Sequence, residues 1–214
     1  MYRLVIFDLD GTVIDSLLDI HYSLNETLLH FNLPVIEVKK TKSLIGDGVH
    51  MLLKKAFGED EFKKKEAEIV EHFKNVYRKN LTNKTKTIDG FDKVLKYLEN
   101  TNIIKIILSN KLYEFTDMIM KNLNLNRYID DYFGGDSFVH KKPSPYPILE
   151  IQKRFAINKN DTLVIGDNYT DIEAGLKSES KTCFCEYGYG KLNNYKPHYR
   201  VKKPIQILDI LENG

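Results

Sequence analysis

The chain has 214 residues, 42% of them hydrophobic and 29% charged, enough to bury a core and inconsistent with a disordered polypeptide. That length suits one large domain, or a medium domain carrying a small insert. Thirty-two Lys and Arg against 30 Asp and Glu leave a net charge of +2, which provides no electrostatic footprint for nucleic acid or an anionic membrane.

Arg3 to Phe7 is a short apolar run of strand character, and it ends at Asp8-Leu9-Asp10-Gly11-Thr12. With an acidic residue at position 8 and no long apolar stretch, no secretory signal is expected, and no apolar run reaches bilayer length. A helix is predicted from Ser16, its N-cap. Leu17, His21, Leu24, Leu28 and Phe31 form one face, and Asn32 to Pro34 stops it. Residues 37–80 read as helical throughout, broken at Ile45-Gly46-Asp47-Gly48. There Phe62, Ile69, Phe73 and Val76 make the buried stripe, and Glu59, Asp60 and Glu61 each precede a lysine by four positions. The segment 54–86 holds ten Lys and Arg against six Asp and Glu, read first as a solvated helix face and second as a weak field for an anionic substrate. The stretch 78–87 is a returning linker.

From residue 88 the elements alternate. The pattern predicts helices at 91–100, 113–123, 146–156, 170–177 and 204–212, and strands at Ile103–Leu108, Thr162–Ile165 and Lys181–Cys185. Cys183 and Cys185, one residue apart, suit a disulfide poorly and are expected to be reduced thiols of a cytoplasmic protein. Strands alternating with helices predict a doubly wound parallel sheet, an α/β Rossmann-like core. The early helical block breaks that rhythm, so a helical cap domain (15–82) is expected as an insert after the first strand, with 1–14 and 83–214 forming the core.

In open parallel sheets, ligands bind outside the carboxyl ends of the strands. Here one strand ends in Asp8 and Asp10, another in Ser109 and Asn110, and a third in Asp167 with Asp171 four residues on. Carboxylates gathered at one edge repel each other, and a hard divalent cation, Mg²⁺, resolves this. Carboxylates, Mg²⁺, a hydroxyl and a lysine together make a phosphate site.

These residues resemble the four signatures of the haloacid dehalogenase superfamily. Asp8-Leu9-Asp10-Gly11-Thr12 resembles the first and Ser109-Asn110-Lys111 the second; Lys142 before Pro143 and Pro145 resembles the third, and Gly166-Asp167 with Asp171 the fourth. The helical insert, the turn Ile45-Gly46-Asp47-Gly48 and Tyr187-Gly188-Tyr189-Gly190 resemble the phosphoglycolate phosphatase group, although Asn168 stands where that group more often has Ser. The resemblance implies Asp8 as nucleophile and Asp10 as general acid and base. It implies Mg²⁺ on Asp8, the Asp10 carbonyl and Asp167, and a phosphoryl group gripped by Ser109, Asn110 and Lys142. Asp171 and Thr12 would support the metal site, with Asp171 bearing on either the metal or Lys142. Gly46, Asp47, Gly48 and His50 of the cap are candidates for substrate selection. His21 is read as a core histidine, and Tyr187 and Tyr189 as packing residues. The expected partner is a small phosphate ester, the expected assembly a monomer or homodimer. A phosphosugar mutase and a catalytically weak binding protein are the alternatives to a phosphatase.

Overall fold

A computed structural model describes residues 2–213. The elements run β1 (Leu4–Phe7), β2 (Ile14–Asp15), α1 (Leu17–His30), α2 (Val38–Lys42), α3 (Val49–Phe57), α4 (Glu59–Lys64), α5 (Glu66–Asn80), β3 (Lys86–Thr87), α6 (Phe91–Glu99), β4 (Ile104–Leu108), α7 (Tyr113–Asn122), β5 (Asp131–Phe133), α8 (Tyr146–Phe155), β6 (Thr162–Gly166), α9 (Tyr169–Lys177), β7 (Lys181–Cys185), β8 (Tyr199–Val201) and α10 (Gln206–Asn213). The main sheet has six strands in the order β5-β4-β1-β6-β7-β8, and every neighbouring pair is parallel. This is the Rossmann-like α/β architecture.

Side chains of a strand alternate between faces, and β1 shows how both are used. Val5 and Phe7 pack toward α6, α7 and α10, while Leu4 and Ile6 pack toward Ile148 and Ile151 of α8 and Ala174 of α9. Phe7 meets Phe91 of α6 edge-on at 5.3 Å between ring centroids. Cys183 and Cys185 are free and buried.

The chain leaves the sheet through β2 and returns through β3, which pair antiparallel, Ile14 with Thr87 and Asp15 with Lys86. Between them lie helices α1 to α5. Asp19 of α1 ties down the return: its carboxylate accepts from the Lys84 and Thr85 N–H groups and, at 2.7 Å, from the Thr85 hydroxyl. The predicted long helical stretch is cut further, at Gly58 and Lys65. In α5 the buried stripe is Ile69, Phe73 and Tyr77, so Tyr77 takes the inward place expected of Val76. Strands β5 and β8, three residues each, and the β2–β3 pair were not among the predicted elements.

Candidate active site

Strand β1 lies between β4 and β6, with Phe7 in register with Ile107 on one side and Ile165 on the other. The residues just past the three strands, Asp8, Ser109 and Asp167, therefore emerge side by side. The chain proceeds outward from β1 through β4 to β5, then crosses back to β6, so the order reverses beside β1 and opens a crevice there. Lys142 enters from the segment between β5 and α8.

Lys142 organises the carboxylates. Its ammonium lies 2.7 Å from Asp8 Oδ1 and 2.7 Å from Asp171 Oδ1, and it also donates to the Leu108 carbonyl. Burial alone would push this ammonium's pKa down, but Asp171 and Asp8 outweigh burial and hold it above its ordinary value. Oxygen atoms of Asp8, Asp167 and Asp171 lie within 4.8 Å of one another. The Asp8 carboxyl is raised well above the usual range by burial, against the pull of Lys142 and with Asp171 and Asp167 adding repulsion. Burial and Asp171 likewise push Asp167 up to about 7, although the Gly190 and Tyr189 N–H groups, at 2.9 and 2.6 Å, favour its charged form. The Thr12 hydroxyl donates to Asp167 Oδ1 at 3.4 Å.

Asp171 pairs with Lys142 through Oδ1, a charge contact without hydrogen-bond geometry, and accepts from the Asn168 N–H at 3.0 Å through Oδ2. Asp8 Oδ2, by contrast, has no partner among the described residues, and Asp167 Oδ1 has only the long Thr12 contact. Asp8, Asp10, Asp167 and Asp171 set four carboxylates against the two ammonium groups of Lys142 and Lys111. A divalent cation on hard oxygen ligands fits both the charge deficit and the open oxygens. Gly11 makes this approach possible: it has φ +87°, and a Cβ there would stand 2.4 Å from Asp167 Oδ2.

Asp10 sits on the other side of Asp8. Lys111 reaches its Oδ2 at 3.1 Å, and the Ser16 hydroxyl donates to its Oδ1. Ser16 is thus drawn to Asp10 and makes no side-chain cap on α1. The start of α1 is satisfied by Tyr189 instead, whose hydroxyl accepts from the Ser16 and Leu17 N–H groups and donates to Asp15. Tyr189 also lends its own N–H to Asp167, so it does more than pack. Tyr187 donates to the Thr12 carbonyl at 3.0 Å.

A cleft opens over these groups. Asp8, Asp10, Ser109, Asn110 and Asp167 line its floor; Ile20, Ile45, Val49, Leu52 and Phe73 of the helical insert form an apolar roof. Both N–H bonds of the Asn110 side-chain amide are spent, on the Gly46 and Lys142 carbonyls at 2.9 Å each, so the side chain works as a tether between insert and core, while the residue itself lines the cleft beside Ser109. His50 faces away from the cleft and contacts Glu66 at 3.1 Å, an exposed pair on the insert's own surface. Gly46 and Gly48 line the cleft, whereas Asp47 lies on the seam, taking a hydrogen bond from Tyr169 at 3.0 Å and an ion pair from Lys55 at 2.6 Å. His21 is held by Thr41 and Asn25 through its two ring nitrogens. Lys111 and Tyr77 have no role in the sequence reading, yet both line the cleft.

An α/β core with a helical insert and an acidic crevice at the central strand defines a hydrolase-type enzyme site. The family model for haloacid dehalogenase-like hydrolases matches residues 5–185, and the chain belongs to that family. It is 36% identical over 211 residues to a phosphoglycolate phosphatase of Aquifex aeolicus, covering 99% of this chain and 97% of that one. It is 28% identical to phosphoglycolate phosphatase 1 of Pseudomonas aeruginosa, over 99% of this chain and 78% of the relative. Among solved structures, a predicted phosphoglycolate phosphatase from Haemophilus somnus superposes with a TM-score of 0.91 at 26% identity, covering 98% of each chain. A subfamily IA hydrolase of the superfamily from Geobacter sulfurreducens shares the fold, with a TM-score of 0.78 at 19% identity over 98% of this chain and all of that one.

Proposed function

We propose that the protein is a Mg²⁺-dependent phosphatase that hydrolyses a small phosphomonoester of the phosphoglycolate or sugar phosphate kind through an aspartyl-phosphate. The observation that carries the reading is Lys142, which bridges Asp8 and Asp171 at 2.7 Å inside a cluster completed by Asp167. Mg²⁺, held by Asp8, Asp167 and the Asp10 carbonyl, would supply charge neutralisation of the phosphoryl oxygens.

Asp8 attacks phosphorus in line; its Oδ–P bond forms as the ester P–O bond breaks. Asp10 gives its proton to the departing alkoxide, which is a poor leaving group at neutral pH. Asp10 then takes a proton from the water that attacks the aspartyl-phosphate, and phosphate leaves with Asp8 restored. The Ser109 hydroxyl would hydrogen-bond a phosphoryl oxygen throughout, and Lys142, whose ammonium is met by Asp8, Asp171 and the Leu108 carbonyl, would attract the phosphoryl group as a fixed positive charge behind Asp8. Residues 15–82 act as the cap and 1–14 with 83–214 as the catalytic core, so closing the insert over the cleft excludes bulk water. The apolar roof supports hydrolysis over a phosphosugar mutase, which needs polar cap groups to hold a sugar and its second phosphate.

Release of phosphate from p-nitrophenyl phosphate and 2-phosphoglycolate tests the reading, with Mg²⁺, with EDTA, and in Asp8→Asn. Expected is Mg²⁺-dependent turnover that EDTA abolishes and Asp8→Asn lowers by about 10³-fold or more. Turnover unaffected by Asp8→Asn would overturn the nucleophile assignment.

A further inference from the structure

We propose that Lys111 and Tyr77 form a receptor for a second anionic group on the substrate, a carboxylate one or two carbons away from the scissile ester oxygen. The proposal rests on the phosphatase reading above and names residues that select its substrate. Lys111 follows β4 and Tyr77 closes α5, so one comes from the core and the other from the insert. The Lys111 ammonium donates to the Tyr77 hydroxyl at 2.7 Å and pairs with Asp10 Oδ2 at 3.1 Å.

Counting donors shows what is left over. An ammonium has three N–H bonds, and these two partners use two of them. The Tyr77 hydroxyl accepts from Lys111 but has no acceptor for its own hydrogen among the described residues. Tyr77 is only 2% exposed, so bulk water does not satisfy that donor. Burial pushes the Tyr77 phenol up to about 12 against the pull of Lys111, which keeps the hydroxyl protonated at neutral pH. Two adjacent donors therefore face the cleft without an acceptor. A carboxylate supplies two acceptor oxygens and the opposite charge.

The surroundings make the pair selective. Among the described residues Lys111 is the one cationic side chain that lines the cleft, and its neighbours Phe73, Leu112 and Phe115 are apolar. A second negative charge entering this space has Lys111 alone to meet it. The reach is also short. Asp10 addresses the leaving oxygen, and Lys111 bonds Asp10. Successive hydrogen bonds of about 3 Å put the receptor within a carbon or two of that oxygen. A short hydroxy acid phosphate fits this spacing, whereas a sugar monophosphate would present only hydroxyls.

The test compares 2-phosphoglycolate with ethyl phosphate, which has the same chain length without the carboxylate. Binding is measured calorimetrically in Mg²⁺ on an Asp8→Asn background, and kcat/KM is measured with Asp8 intact. With Lys111 and Tyr77 in place, 2-phosphoglycolate should bind at least tenfold more tightly than ethyl phosphate. Tyr77→Phe should cut that ratio about tenfold, Lys111→Met should abolish it, and Lys111→Arg should restore part of it. A merely structural role would weaken both ligands alike and leave the ratio unmoved. A preference below threefold, or one unchanged in Tyr77→Phe, would overturn the receptor. Absence of phosphate release from either ester would instead overturn the phosphatase reading, while the binding ratio would still judge the receptor.

Discussion

Lys142 concentrates the site's electrostatics in one side chain. It is 3% exposed and carries the charge that keeps Asp8 and Asp171 tolerable in a buried cluster. Breaking a buried pair by removing one partner costs about 3–5 kcal/mol, because the other charge is left stranded. Lys142→Met should therefore lower kcat by about 10³-fold and also lower the melting temperature of the metal-free protein. Lys142→Arg should not rescue activity. A planar fork cannot occupy the point between Asp8, Asp171 and the Leu108 carbonyl that a compact ammonium fills. Phosphate release and thermal unfolding, each with and without Mg²⁺, check both variants. Full activity in either one would contradict the role given to Lys142.

The turn between α2 and α3 decides how the insert meets the core. Gly46 has φ +122°, and a Cβ there would stand 2.2 Å from Asn168 Nδ2. Its carbonyl also takes the Asn110 tether. Gly46→Ala should hold the insert away from the core. The expected result is a fall of about tenfold in kcat/KM, mostly through KM, with thermal stability lowered by no more than roughly 1–2 kcal/mol. Michaelis kinetics beside a melting curve separates this from simple unfolding. Asp19 predicts the opposite balance. It satisfies the Lys84 and Thr85 N–H groups where the chain returns from the insert. Asp19→Ala strands the buried Thr85 N–H and hydroxyl and should cost about 3 kcal/mol, a drop of roughly 10 °C in melting temperature.

The longer elements were legible in the sequence because their signals are local. The apolar runs of β1, β4, β6 and β7 sit between turn residues, and their polar ends marked the crevice. Strands β5, Asp-Tyr-Phe, and β8, Tyr-Arg-Val, carry no such run; they are strands because β4 and β7 offer them an unpaired edge. Ile69 and Phe73 face inward as the pattern predicts; from Phe73 a step of three (Val76) and a step of four (Tyr77) fit a helix equally well, and Tyr77 is the one buried, against Phe73 and Phe115. The Lys111–Tyr77 contact joins residues 34 apart, so no window on the sequence could reveal it.

At the scale of the whole molecule, the acidic cluster links folding, metal and pH. Asp167 is pushed up to about 7 and Asp8 also lies well above the usual carboxyl range, burial being the main cause in both. Unfolded, each would titrate near 4. Between those values the folded metal-free protein holds protons that the unfolded chain has released, so its stability falls as pH rises. The contribution is fully present below about 4 and lost as pH climbs through about 7. Mg²⁺ bound at the proposed site would reverse the sign. It would need the ionised carboxylates, bind the folded state and displace those protons, so its affinity should rise with pH up to about 7 and then level off. The metal-free protein should therefore melt several degrees lower at pH 8 than at pH 5.5, while saturating Mg²⁺ should remove or invert that difference. Differential scanning calorimetry over this range checks both halves. Asp167→Asn should flatten the metal-free profile and abolish most of the Mg²⁺ stabilisation. A metal-free protein more stable at pH 8, or a Mg²⁺ effect that survives Asp167→Asn undiminished, would show that this carboxylate cluster is not where the cation and the protons compete.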